Sequence, residues 1–288
     1  MKANAVFSGG GMKGIAFVGA LAVADQRGYE WERVAGTSVG ALLAALVASG
    51  FRPREIYELM GKFNFEEILD GDFQKLMPQV GMLASIFLEK GIYRGRALEN
   101  WVRSLLGAKG VSTFGDLEPG KLTMIAADLT QNKMLVLPED LVHYGIAPED
   151  FSVAKAVRMS ASLPFFFEPV LFKYGKTASY IVDGALVSNF PLWVFSADPW
   201  PTIGFRFQGE TDSTKIRNMW DYLQALLSTA MGGHDKRTLS KLEAQSIAVP
   251  TPGVGLTDFQ LTPGQKERLY RAGEKAAADF FAAFPDNH

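Results

Sequence analysis

Apolar and polar positions fall into blocks along the chain, and the clearest blocks lie before Gly50. Residues 3–7 are short and apolar and run into Ser8, Gly9, Gly10, Gly11, Met12, Lys13 and Gly14. That order predicts a strand, a glycine turn and the start of a helix. Residues 15–24 are apolar enough for a buried helix, which ends near Gly28. Residues 31–35 predict a second short strand, leading into Gly36, Thr37, Ser38, Val39 and Gly40. Residues 41–47 then hold no charge and no helix breaker, so a helix buried on most sides follows. A β-α-β-α order of this kind points to a parallel sheet covered by helices.

Further on the pattern is more varied. Residues 53–63 predict a helix opening at Pro53, and residues 65–82 read as an irregular loop. Residues 94–106 form an amphipathic helix with Leu98, Trp101, Val102 and Leu105 on one face. Residues 121–128 read as an apolar strand, paired with residues 133–137 across Thr130, Gln131 and Asn132. Residues 152–160 have helical spacing at Val153, Ala156, Val157 and Ser160. Phe165, Phe166 and Phe167 stand together between Pro164 and Pro169. They fit an acyl-lining wall or a lid, and simple core packing fits them too. Strands are expected at residues 178–182, 202–207 and 243–249, with a helix at 216–231. Thr262 caps a last helix that opens at Pro263, with Leu269, Ala272, Ala276, Phe280 and Phe284 as its apolar face. The fold expected is a three-layer α/β/α domain with a mainly parallel central sheet. Residues 201–288 complete the same domain, because no linker separates them and too little chain follows Gly255 to fold alone.

Composition narrows the chemistry. The chain has 288 residues, 48% hydrophobic and 21% charged, which is ordinary for a globular protein. Its net charge of −2 gives no overall attraction to nucleic acid or to an anionic membrane. The absence of cysteine excludes a disulfide framework and any thiolate metal site. No signal-peptide core precedes the first glycines, and no apolar run reaches the roughly 18 residues of a spanning helix. A soluble, cytoplasmic protein is expected.

Gly36 to Gly40 fit G-x-S-x-G, the pattern of a nucleophile elbow in which a strand turns tightly into a helix. The glycines admit close backbone approach, and Ser38 falls at a helix N-terminus, where the dipole favours developing negative charge. Ser38 also fits a plain helix N-cap. Gly9, Gly10 and Gly11 leave amide groups free to face an oxyanion, with Lys13 adding positive charge or standing on the surface. The same stretch fits G-x-G-x-x-G, with Glu30 and Glu32 about 20 residues on, so a dinucleotide-binding oxidoreductase is a rival. Asp183 ends a strand just before Gly184 and Ala185, where a carboxylate can face a site. The three histidines are His143, His234 and His288, and none sits beside a strand-end glycine motif.

Taken together, Gly9–Gly14, Gly36–Gly40 and Asp183-Gly184-Ala185 resemble the patatin-like phospholipases, which carry G-G-G-x-[RK]-G, G-x-S-x-G and D-G-[AG] in this order. Ser160 to Pro164 is similar to that family's S-x-S-x-P stretch, and the resemblance spans residues 3–200. It implies a patatin-like fold and a Ser38–Asp183 dyad rather than a triad, although His234 leaves a triad open. It implies an oxyanion hole at Gly9, Gly10, Gly11 and Met12, with the elbow glycines Gly36 and Gly40. Lys13, Phe165, Phe166 and Phe167 become candidate substrate-lining residues. The implied reaction is hydrolysis of a phospholipid, lysophospholipid or neutral acyl lipid through an acyl-enzyme. It involves no metal, no cofactor and no nucleic acid, and peripheral membrane contact is expected around Phe165–Phe167. A non-catalytic lipid-binding module on the same fold is the second reading.

Overall fold

The computed structural model describes residues 1–62, 90–208, 216–217, 221–223, 225–230, 246–255, 258 and 260–283. The opening elements are β1 (Lys2–Phe7), a 3-10 turn (Gly11–Gly14), α1 (Ile15–Gln26), β2 (Glu30–Thr37) and α2 (Val39–Ala48). They are the β-α-β-α unit that the apolar blocks predict. After α3 (Pro53–Lys62) come β3 (Gly91–Tyr93), α4 (Arg96–Gly107), β4 (Leu122–Asp128) and β5 (Lys133–Leu137). Then follow α5 (Val153–Ser160), β6 (Phe165–Phe167), β7 (Val170–Tyr174) and β8 (Thr177–Asp183). The last are β9 (Thr202–Phe207), β10 (Ser246–Val249) and α6 (Pro263–Ala283). The irregular loop expected at 65–82 lies outside the described residues. Of the helix expected at 216–231, residues 221–223 and 225–230 are helical.

The central sheet runs β10-β9-β1-β2-β4-β8-β7, with β5 paired to β4. From β10 to β4 every pairing is parallel, and the pairings of β5, β8 and β7 are antiparallel. Alternation along β1 sends Ala5 and Phe7 to the main core and Val6 to a smaller cluster. That smaller cluster is Val6, Ala35, Phe190, Leu192 and Phe195. It seats the segment after Asp183 on the second face of β1 and β2. Two bonds tie this segment down: the Thr37 hydroxyl donates to Ser188 O at 2.9 Å, and the Gly9 amide donates to Asn189 O at 3.0 Å.

Three details differ from the sequence expectation. Phe165–Phe167 is a strand, paired in parallel with β3 in a separate two-stranded sheet. The buried Arg158 guanidinium fastens that sheet to α5 by donating to Ser162 Oγ and to the carbonyls of Arg94 and Glu168. Strands β3 and β7 had no counterpart in the predicted elements. The buried face of α6 is Leu269, Gly273, Ala277 and Phe281, one position on from the predicted face. The cause is a glycine seam with α1. A Cβ on Gly273 would stand 1.8 Å from Ala16 O, and one on Gly19 would stand 2.0 Å from Tyr270 O. Only hydrogen on both residues lets the two backbones approach so closely.

Candidate active site

β4 brings the two chemical residues together. β5 occupies one edge of β4 from Met124 to Asp128. β2 takes the other edge up to the Thr37–Ile125 pair. β8, running the opposite way, takes the same edge from Asp128 back to the Asp183–Ala126 pair. The two strands therefore end head to head on consecutive residues of β4. Ser38 leaves the end of β2, and Asp183 stands at the end of β8.

Ser38 has φ 57° and ψ −123°, a backbone conformation strained for a residue with a Cβ. Its side chain makes no capping bond to α2, so the plain N-cap reading fails. Glycines make the strained turn sterically feasible. A Cβ on Gly36 would lie 2.2 Å from Gly40 O, and one on Gly40 would lie 2.3 Å from Phe7 O. The first carbonyl is held in α2 and the second in β1, so neither can swing away without breaking its helix or strand.

The Ser160–Ser162 segment grips both residues. Ser160 is fully buried, and its hydroxyl accepts the Ser38 N–H at 3.0 Å and donates to Ile125 O at 2.6 Å. One hydroxyl thus bridges the strands where the β2–β4 ladder stops. Two residues on, Ser162 O accepts the Asp183 N–H at 2.9 Å. Sequence reasoning placed this segment in the family pattern but assigned it no role. Its fully buried serine on an apolar helix face was the available signal.

Asp183 is 1% exposed. Its Oδ1 accepts the Ala185 amide at 2.9 Å, while Oδ2 is buried with no partner in full hydrogen-bond geometry. Burial raises its pKa to about 7, against smaller lowering effects from the Ala185 amide and then the Ser38 hydroxyl. So the serine hydroxyl already acts on this carboxyl, at looser geometry than a formed hydrogen bond. Looseness of this kind is common in unliganded active sites.

The glycine loop lies beside Ser38. A Cβ on Gly9 would reach Asn189 Oδ1 at 2.4 Å and Ser38 Cβ at 3.2 Å. Gly9 corrects the sequence expectation in one respect. Its amide already donates to Asn189 O, so it contributes close approach and no free donor. Gly11 has φ 61°, which turns the chain into the 3-10 helix, whose first amides have no intrahelical acceptor. Lys13 is half-buried with Nζ 5.5 Å from the centre of the Phe207 ring. That ring also packs against Gly10. Phe166 and Phe167 are 6% and 4% exposed and belong to the main core, and Phe165 is half-buried at φ 70°. The three therefore form no exposed apolar patch, because pairing with β3 folds them inward.

His143 is exposed near Asp140, and His234 and His288 lie outside the described residues. Among the described residues no group of three or more His, Asp or Glu is placed to hold a metal ion. No described helix is long and apolar enough to cross a membrane. A cavity of about 520 Å³ lies at the start of β4, lined by Phe114, Leu117, Glu118, Pro138 and Glu139 among others, and holds none of the motif residues.

A mostly parallel sheet, with an elbow serine and a buried strand-end aspartate meeting on one strand, defines a protein of patatin-like fold. The chain belongs to the patatin-like phospholipase family, whose model matches residues 5–196. At the family level this places it among lipid hydrolases with ester substrates. It is 42% identical over 280 residues to the uncharacterized protein YqhO of Bacillus subtilis (strain 168), covering 96% of each chain. It is 25% identical over 193 residues to the probable lipid hydrolase 463L of Invertebrate iridescent virus 6, covering 65% of this chain and 61% of that one. Among solved structures, VipD from Legionella pneumophila superposes with a TM-score of 0.61 at 18% identity, covering 98% of this chain and 67% of that one. The type III effector ExoU superposes with a TM-score of 0.54 at 16% identity, covering 98% of this chain and 53% of that one. These two likenesses concern the fold alone.

Proposed function

We propose that the protein is a lipid acyl hydrolase working through a Ser38–Asp183 dyad and a covalent acyl-enzyme. One observation carries this reading: strands β2 and β8 end head to head on β4, setting an elbow serine beside a buried carboxyl with one unpartnered oxygen. Ser38 Oγ attacks the ester carbonyl carbon while its proton passes to Asp183 Oδ2. The tetrahedral oxyanion is held by amides from Gly10, Gly11 and Met12 and by the Val39 amide at the start of α2. Each such donor is typically worth about 3 kcal/mol. Collapse of the intermediate expels the alcohol, which takes the proton back from Asp183. Water then gives a proton to Asp183 and attacks the acyl carbon, and as the Ser38 ester bond breaks Asp183 returns that proton to Ser38 Oγ, releasing the fatty acid. Every proton is handled by one carboxyl, so this reaction has no step that needs a metal or a cofactor.

A pKa near 7 suits this work. An ordinary carboxylate is too weak a base to draw a proton from serine, and burial strengthens it. The test is the intact mass of the protein after exposure to a fluorophosphonate. Wild type is expected to gain one adduct, Ser38→Ala none, and Asp183→Asn one adduct formed much more slowly. An equal adduct on Ser38→Ala would remove Ser38 from the mechanism.

A further inference from the structure

Since Phe165–Phe167 faces inward, an enzyme working on lipid needs another face for its substrate's surface. The outer face of the β7–β8 hairpin has the matching chemistry. Leu171 on β7 pairs directly with Tyr180 on β8, so both side chains stand on one side of the hairpin. They are 46% and 38% exposed. Leu129, 52% exposed, follows β4 and donates its amide to Tyr180 O at 3.0 Å. On the same side Lys173 pairs with Ala178, Lys176 occupies the turn, and Lys90 Nζ lies 5.0 Å from the centre of the Tyr180 ring. The intervening Phe172 and Tyr174 pack on the opposite side, against Tyr144.

The three lysines are exposed, and no described residue gives them an acidic partner. Several exposed cations elsewhere are held in ion pairs, as with Lys2 and Glu32, Arg52 and Asp25, and Lys109 and Glu55. The chain as a whole carries −2, so this excess of positive charge is local. β7 is also the last strand in the sheet order, which leaves the hairpin at the border of the described sheet.

We infer that this face docks the protein on a bilayer containing anionic lipids. The lysines match phosphate and carboxylate head groups, while Leu129, Leu171 and Tyr180 enter the interface with the polar tip of the tyrosine in the wet layer. Tyr180 precedes Asp183 by three residues of extended strand, about 10 Å. A membrane held here therefore lies next to the candidate active site. The purpose of the surface rests on the lipid-hydrolase reading, whereas its geometry does not.

The experiment uses the Ser38→Ala protein, so that no lipid is consumed, with vesicles of phosphatidylcholine alone and of phosphatidylcholine mixed with phosphatidylglycerol. Co-sedimentation is expected with the mixed vesicles and should weaken as salt is raised. Combined Lys90→Glu, Lys173→Glu and Lys176→Glu should weaken it at least about tenfold. With Ser38 restored, the same triple variant should turn over a short water-soluble ester as wild type does, which shows that it is folded. Vesicle binding unchanged in the triple variant overturns the inference. So does self-association of wild type through this face, if it is lost in Leu171→Ser and no vesicle binding is seen. Failure of the catalytic reading has a different signature: wild type that takes no fluorophosphonate, yet binds vesicles through the three lysines.

Discussion

Ser38 and Asp183 reach neighbouring rungs of β4 by opposite physical means. The serine arm holds its energy in the backbone. Ser38 sits at φ 57°, and Gly36, Gly40 and Gly9 leave the space that its turn demands. The aspartate arm has an ordinary backbone at φ −54° and ψ 130°, and its energy lies in a side chain withdrawn from water with one oxygen unpartnered. The first device fixes where an oxygen stands. In the proposed mechanism the second sets how strongly a proton is drawn from the serine. Position and reactivity are thus separable, and mutation should separate them.

The largest effects belong to the serine arm. Gly36→Ala and Gly40→Ala each drive a Cβ into a backbone carbonyl, at 2.2 Å and 2.3 Å. Each is expected to lower stability by at least about 3 kcal/mol, or to prevent folding, because a carbonyl held in a helix or strand cannot rotate away. Urea melts measure this. Gly10→Ala offers a control within the same site. The nearest atoms to its Cβ are those of the Phe207 ring, at 2.0 Å, and a side chain can move aside. Equal losses at Gly40 and Gly10 would refute the distinction between backbone and side-chain packing.

Asp183→Asn should act in the opposite sense on stability. In wild type the native pKa of about 7 lies above the ordinary carboxyl value of 3.8. Below the ordinary value both native and unfolded chains hold the proton, and the stabilisation of the protonated native form is complete. As pH rises from about 4 to about 7, the unfolded chain releases the proton first and that stability is lost, by an amount on the order of 4 kcal/mol. Asparagine keeps an oxygen for the Ala185 amide and has nothing to ionise. The variant should therefore show a flatter pH dependence than wild type and be the more stable of the two above about pH 7. Activity runs the other way. In wild type kcat/KM should rise through an apparent pKa near 7 as the base ionises. In the variant it should fall by roughly 10³ at all pH values. Thermal melts across the pH range, set beside rate profiles on a soluble ester, test both halves.

The serine arm was the more legible in sequence, because tight turns demand particular residues at fixed spacing. G-x-S-x-G states the steric problem in letters, and the apolar runs on either side state strand and helix. The position of Asp183 was legible too, at a strand end followed by Gly184, but its pairing with Ser38 was implied only by the family resemblance and not by the local pattern. That depends on β8 running against β4 along the edge that β2 vacates, and a register between distant strands leaves no local mark. Glycine misled where it packs rather than turns. The face of α6 was read from Ala272, Ala276 and Phe280, whereas the seam with α1 runs through Gly273, which has no hydrophobic signature. Phe165–Phe167 met the core-packing reading and not that of a lid, and its strand pairing was hidden for a related reason. Its neighbour β3 has three residues, too short for alternation to declare a strand. Gly9 was assigned a donor role that only the Asn189 carbonyl, far along the chain, reveals to be taken.

The smallest predicted effect tests the joint between the two arms. Ser160 offers one hydroxyl to the Ser38 N–H and to Ile125 O, so it acts on the nucleophile's position without touching the reacting atoms. Ser160→Ala takes the hydroxyl away from both groups, at a cost of about 1–3 kcal/mol of stability. The turn also loses its link to β4, and kcat should fall roughly ten- to a hundredfold with KM nearly unchanged, since geometry at the reacting carbon is lost and substrate contacts are not. Ser160→Thr separates the two consequences. It restores the hydroxyl and adds a methyl group in a fully buried space, so stability should stay below wild type through overpacking while kcat recovers. If kcat instead follows stability through both variants, Ser160 only supports the fold. If kcat returns with the hydroxyl alone, the strained turn is held in register by that one oxygen, and the backbone arm and the proton-accepting arm are coupled through it.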